Sequence, residues 1–436
     1  MGNIQLNRHL KISINKYLTN SSVLFILLMP IMRYYNVWGT EVGFEMALKA
    51  LTIINLTLLL LRNDRNVYIN TYIINSGTFF LLFGLYAIIV TFISDSVNNY
   101  PINNNINFML SFIFSVLIIQ LLLSGKLLLA NAFRIYSAFV WIIVSICMIQ
   151  WGLFVGGIRI SFKLPGLAYA DSWAQLSSQV FGMNEYPTSL FSEKAHFCEF
   201  LVPYLACCLF SDKLIQNKRI LKAIIVTLLI VMSVSGNGVV LAFLCWGLYF
   251  TFFNQYKSIN KALLIILGIV IIVASFYILN RIDTVNSMLS MLFTNNNYGY
   301  SKANYRVYRG FDMFGRLPIT QKIYGVGYYR MQAFAEQHNI VSSYDTSWNT
   351  YEYFSGFTQV LIYFGIIGFV LIMLHIIQLF KVKHNITMGL IILLIAVSLS
   401  SEILFQGFHI VYILLILSTI QVEDIIYSND QEYDPV

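Results

Sequence analysis

The sequence predicts an all-α polytopic membrane protein, and three observations carry that expectation. Of its 436 residues, 58% are hydrophobic and only 11% are charged. A soluble domain usually carries about 25% charged residues, and soluble packing cannot hide so much apolar surface. The apolar residues gather into about twelve stretches near spanning length. The Lys and Arg residues between those stretches fall mostly on one side, as orientation in a bilayer requires.

The stretches run at 20–36, 43–61, 72–94, 107–123, 133–155, 189–210, 220–235, 237–253, 262–279, 356–380, 387–403 and 407–421. The first contains Pro30 and Arg33, lacks a small-residue cleavage site, and is followed at once by a second apolar segment. It therefore reads as a span rather than a cleaved leader. The organisation that follows is 1–155 as five N-terminal spans, 156–188 as a first outer loop, and 189–279 as spans six to nine. A large outer loop covers 280–355, the last three spans cover 356–421, and 422–436 is an acidic tail.

Arg8, Lys11, Lys16, Arg62, Arg65, Lys126, Arg134, Lys213, Lys218, Arg219, Lys222, Lys257, Lys261, Lys381 and Lys383 share one side of this arrangement. The short loops near 95–106, 236 and 404–406 carry no Lys or Arg. Both termini are thus expected in the cytoplasm, with the two larger loops outside. The net charge of +7 is spread over the cytoplasmic loops. It reads as topology and attraction to anionic membrane lipid, with no nucleic-acid partner. Cys147, Cys198, Cys207, Cys208 and Cys245 all sit in apolar segments without CxxC spacing, so neither a disulfide framework nor zinc is indicated.

Charges inside such a chain need a reason. Glu193, His196, Glu199 and Pro203 lie within one sector about 120° wide when 189–210 is drawn as a helix. Either this is a polar cap at headgroup level, with Ser192 or Thr188 as N-cap, or it is a polar face lining an outward-opening site. Glu193-x-x-His196 also has metal-ligand spacing, but helical dinuclear sites need that motif twice and it occurs once, so no metal is expected. Glu45, Lys49, Glu402 and His409 have no assignable partners and read as structural.

The large loop carries Lys302, Arg306, Arg309, Arg316, Lys322 and Arg330 against the single Asp312 over 302–330. On a helix, the first four share a sector about 80° wide, opposite Val307, Tyr308, Phe311 and Phe314. That predicts an amphipathic helix with a guanidinium face, ended by Pro318. Guanidinium groups match phosphate oxygens, so this face could hold a lipid-linked phosphate or diphosphate, or else lie solvated against headgroups. The loop's tyrosines, Tyr305 and Tyr328 among them, suit sugar rings and an interfacial belt alike. Arg159 and Lys163 in "GIRISFKLPG" offer a further anion contact.

Four features in order resemble the O-antigen polymerase family, within the superfamily that includes the O-antigen ligases. They are "SLFSEKAHF" at 189–197, "SVSGNGVVLAF" at 233–243, "YRVYRGFDMF" at 305–314 followed by "KIYGVGYYR" at 322–330, and "GFTQVLIYFGIIGFVLIML" at 356–374. The resemblance covers roughly 160–380; the first five spans match only as hydropathy. Lys194 departs from it, since relatives often have proline there.

The resemblance implies a helical bundle like that of lipid-sugar glycosyltransferases, with a periplasmic loop domain over a cavity. It implies transfer of a growing glycan from undecaprenyl diphosphate onto a lipid-linked repeat unit, at the bacterial inner membrane. It implies no cofactor or metal, and a chain-length regulator as partner. That chemistry needs cations for the departing diphosphate and a base for the acceptor hydroxyl. Arg306 and Arg309 are the first candidates for the former, with Arg159, Lys163, Arg316 and Arg330 in support and Tyr305 and Tyr328 for the glycan. Glu193 and His196 are candidates for the base, and His338 competes with them. A ligase to the lipid A core and a flippase for lipid-linked units are the rival expectations.

Overall fold

A computed structural model describes residues 2–37, 43–61, 71–93, 110, 113, 131–158, 167–169, 187–191, 193–211, 218–233, 235–253, 303–343, 354–382, 384–401 and 407–431. Nearly all of these residues are helical. The chain divides into two compact units, one made of Met1–Tyr136 with Ala303–Val436 and the other of Ser137–Lys302.

The first unit contains α1 (Gly2–Met32), α2 (Phe44–Leu60) and α3 (Thr71–Ile93), and the start of α4 (Ala132–Val155). After the second unit it resumes with α8 (Ala303–Arg316), α9 (Ile319–Tyr324) and α10 (Met331–Gln337). It closes with α11 (Gly356–Leu379), α12 (Asn385–Ser400) and α13 (Gly407–Gln431). The second unit contains the rest of α4, then α5 (Lys194–Phe210), α6 (Arg219–Met232) and α7 (Gly236–Leu248), which runs into a π-helical turn at Tyr249–Phe253.

The segments Ile74–Ile93, Ala132–Val155 and Gly356–Leu379 are each long and apolar enough to cross a membrane. Four more apolar helical stretches are shorter: Lys16–Met32, Gly236–Thr251, Asn385–Ser400 and Gly407–Gln421. The predicted spans at 107–123 and 262–279 lie largely or wholly outside the described residues. Leu81, Leu82, Leu85, Ile89 and Phe92 are exposed along α3, and Ile366, Ile367, Val370, Leu374 and Ile377 along α11. Apolar side chains arrayed outward on long helices are what a lipid-facing surface requires.

Three expectations are corrected. The sixth span begins at Lys194 rather than 189. Ser189 adopts φ 59°, and the Thr188 hydroxyl donates to the Phe191 carbonyl at 2.7 Å, so 187–191 forms a turn before the helix. Glu193, not Thr188, occupies the N-cap position. Glu45 and Lys49 also have partners, namely each other: Lys49 Nζ lies 2.8 Å from Glu45 Oε1, with Lys49 fully buried.

In the first unit α1 packs along α2 and α13, α3 along α11, and α8 against α11 and α12. The α11 helix is broken at Gly365 (φ 61°, ψ −167°). A break leaves carbonyls without helical partners, which is tolerated at membrane depth only when neighbours satisfy them. The loop after α9 does so. Val326 N–H donates to Ile362 O and Gly327 N–H to Tyr363 O, both at 2.9 Å. The Tyr86 hydroxyl is shared between Phe364 O at 2.9 Å and Tyr324 O at 3.0 Å. Gly325 (φ 90°, ψ 175°) and Gly365 meet at this joint. A β-carbon on Gly325 would overlap the Tyr363 carbonyl, and one on Gly365 would overlap that of Ile323.

Candidate functional site

In the second unit, a loop pinned to α4 delivers the start of α5. The Ser189 amide donates to Gln150 Oε1 at 2.7 Å, and Gln150 Nε2 donates back to Ser189 O at 3.0 Å. The Ser189 hydroxyl donates to Ile143 O at 2.8 Å. These groups are buried, so the reciprocal pairing holds the chain firmly. Phe191 packs against Phe197 and Phe200 on the first turns of α5.

Three ionisable side chains then follow at helical spacing. His196 Nδ1 lies 3.5 Å from Glu193 Oε2, and His196 Nε2 lies 4.0 Å from Glu199 Oε2. Side-chain exposure falls from 32% at Glu193 to 14% at His196 and 0% at Glu199. The row therefore leads from the surface into the unit. Asn237 Nδ2 closes its inner end by donating to Glu199 Oε1 at 3.2 Å. Asn237 comes from the "SVSGNG" turn, which Ser235 shapes by accepting the Gly238 amide as the N-cap of α7. A side chain at Gly238 would overlap Cys198, so glycine there lets α7 approach α5 closely. An imidazole with a carboxylate on each side can take a proton from the surface side and hold it.

In the first unit, α8 ends before Pro318 as expected, but its Arg sector is divided between interior and surface. Arg309 is 1% exposed, with its guanidinium carbon 5.3 Å from the Phe354 ring centroid. Tyr308 and Phe311 are 59% and 54% exposed. Arg309 thus points inward and Tyr308 and Phe311 outward, while Arg316, of the same Arg sector, is 44% exposed. Arg306 is half-buried, and Arg330, at the N-cap position of α10, is buried. Glycine at 310 permits this packing, because a β-carbon there would overlap Thr358 of α11.

Arg316 is engaged locally. Its Nε donates to Asp312 Oδ1 at 3.1 Å, and it also bonds the Ser343 hydroxyl. Asp312 further accepts from the Ser343 amide at 2.8 Å, the Ser342 hydroxyl at 3.1 Å and the Ser343 hydroxyl at 3.2 Å. Burial pushes the Asp312 carboxyl up. The Ser343 amide, Arg316 and Ser342 together outweigh that and hold it below its ordinary value.

Tyr328 is buried, with its ring centroid 5.2 Å from that of Tyr329, 5.6 Å from Tyr363 and 6.5 Å from Phe364. His338 caps the C-terminus of α10, exposed, with its ring 4.3 Å from that of Phe334. Arg159 and Lys163 lie outside the described residues, as does the side chain of Tyr305. Among the described residues no three His, Cys, Asp or Glu side chains gather as a metal site requires.

Structure thus joins Glu193 to His196, adds Glu199 to them, and gives the candidate Arg316 a partner in Asp312. Glu199 was noted only as part of a sector. Its contact with Asn237 is remote in sequence, and the only signal was the polar turn itself. The Asp312–Arg316 pair carried a local signal, its four-residue spacing.

These features define an all-α, membrane-embedded class of protein with ionisable side chains drawn into its interior. Neither the known family models nor the curated proteins yield a match to the chain.

Proposed function

We propose that the chain is a glycosyltransferase of the O-antigen polymerase kind, working at the outer face of the bacterial inner membrane. Its substrates would be undecaprenyl-diphosphate-linked oligosaccharide and polysaccharide, with a chain-length regulator as partner. In the reaction, an acceptor sugar hydroxyl attacks the anomeric carbon of the donor glycan. The bond from that carbon to the diphosphate oxygen breaks, the hydroxyl proton passes to a base, and undecaprenyl diphosphate leaves.

The observation that carries this reading is the buried guanidinium of Arg309 on α8, with Arg306 half-buried one turn before it. Burying a charged group costs several kcal/mol unless it is compensated, so such groups are retained where they act. Arg306, half-buried, is the guanidinium within reach of a diphosphate, and Arg309 adds its charge from one turn further on. Arg330 supports them, whereas Arg316 is already held by Asp312. In the other unit, the Glu193–His196–Glu199 row supports a base that faces solution at Glu193 or His196. His338 is the weaker candidate, being a helix cap without a carboxylate partner among its described contacts. Tyr328 supports the loop's packing better than direct glycan contact.

The test is the electrophoretic profile of surface lipopolysaccharide after deletion of the gene. Core bearing a single repeat unit, with the ladder lost, is expected. Core with no repeat unit means that export or ligation has failed, and rejects the polymerase in favour of a flippase or ligase. Complementation with Glu193→Ala should restore protein levels but not the ladder.

A further inference from the structure

The outward apolar side chains of α8 and α9 have a physical source. Ile319, Ile323 and Tyr324 on α9 are exposed, as are Tyr308 and Phe311 on α8. Thr320 is exposed and Gln321 and Lys322 half-buried between them, and the long Lys322 stem lets its charge reach headgroup level. Water is a poor neighbour for such a set of residues.

The hydrogen bonds of the loop fix its level along α3. The Tyr324 carbonyl meets the Tyr86 hydroxyl, and the Tyr328 amide donates to Thr91 Oγ1 at 3.2 Å. The apolar run of α3 ends at Ile93. Tyr86 lies seven residues before that end, which is roughly 10 Å along a helix axis. The end of α9 therefore sits about 10 Å inside the end of a 20-residue apolar segment, whose length matches a bilayer core of about 30 Å. From there the chain climbs back along α3 to the level of Thr91. Its backbone groups are satisfied by the broken α11, as lipid immersion demands. At that level Leu85 and Ile89 of α3 and Ile366 and Ile367 of α11 are also exposed and apolar.

We propose that α9 is a lipid-immersed wedge, seated in one leaflet with Ile319, Ile323 and Tyr324 against acyl chains. Its partner is the hydrocarbon of the bilayer, because its exposed surface continues that of α3 and α11. Tyr308 and Phe311 then lie toward the interface, where aromatic rings are favoured. The wedge holds the Arg-bearing α8 at the membrane surface. This inference needs only a membrane-embedded chain, so it stands whichever substrate the protein uses.

Spin labels placed by Ile319→Cys and Ile323→Cys in the full chain, reconstituted in phosphatidylethanolamine–phosphatidylglycerol vesicles, test it. The five native cysteines are buried, which favours labelling at the introduced sites. Collision rates with oxygen, which dissolves in lipid, and with a water-soluble nickel chelate are compared. Leu85→Cys on α3 supplies the lipid reference at matching depth, and Gln337→Cys on α10 the water reference. Oxygen is expected to exceed the chelate at both α9 sites by the same several-fold ratio as at Leu85. A ratio like that at Gln337 places α9 in water and overturns the wedge. Protection from both reagents means that protein, such as a second copy of the chain, covers α9, and it overturns the lipid assignment equally.

Discussion

Asp312 gathers Arg316, Ser342 and Ser343 around one carboxylate, and so ties the last turn of α8 to the chain beyond α10. Each bond to a charged acceptor is stronger than a neutral one. The side chain remains partly open to solvent, so the net contribution is modest, about 1 kcal/mol. The pH dependence follows from the lowered carboxyl. A group whose folded pKa is depressed stabilises the fold fully above its unfolded value, near pH 4 for aspartate, and the benefit is lost as pH falls through the folded value. Asp312→Asn should therefore unfold at a lower temperature than wild type at pH 7, and the gap should close toward pH 3. A gap that persists unchanged at pH 3 would show that the carboxylate charge is irrelevant. Lys49 makes the complementary point about legibility. Glu45 and Lys49 are four apart on a helix, a spacing that pairs opposite charges, so their partnership was readable without a structure.

At the scale of elements, the joint between α9 and α11 rests on two glycines in a backbone region that side chains scarcely enter. Occupying that region costs a non-glycine residue about 1–3 kcal/mol, before any overlap with the facing carbonyl is counted. Gly325→Ala and Gly365→Ala should each lower the thermal unfolding midpoint in detergent. Gly152→Ala on α4, where a β-carbon meets nothing within 4 Å, should not. Equal midpoints for all three would remove the joint from the account of the fold. The elements themselves were legible wherever apolar runs are long: the predicted 72–94, 133–155 and 356–380 match α3, α4 and α11 within a residue or two. Two features were not. Helical spacing shows which residues share a face of α8, but not that Arg309 is buried while Arg316 stays exposed, because that depends on α11 and α12 packing against the helix. The turn at 187–191 owes its shape to Gln150, remote in sequence, and so the apolar run alone placed the start of α5 too early.

For the whole molecule, the proposed chemistry depends on topology. The Arg-bearing α8 must face the side where lipid-linked glycans are polymerised, and from the one-sided Lys and Arg distribution we expect the C-terminus on the opposite side. Between Ser343 and the C-terminal tail lie α11, α12 and α13, and the proposed topology requires all three to cross, which would put those two points on opposite sides. The middle crossing would be a tight one. The α12 helix has 16 residues, about 24 Å, against a hydrocarbon core of about 30 Å. Its N-terminal half packs along α13, with Thr387 bonded to Thr419 at 3.0 Å. A short span is accommodated by local thinning of the bilayer at modest cost. Alkaline phosphatase, active only after export, should work when fused after Ser343. Green fluorescent protein, fluorescent only in the cytoplasm, should work when fused after Val436. If both fusion points report the same side, α12 turns back without crossing and the parity fails. If Ser343 reports the cytoplasm and Val436 the exterior, α8 faces away from the exported substrate. The polymerase reading would then fall, while the wedge of α9 in its leaflet would remain.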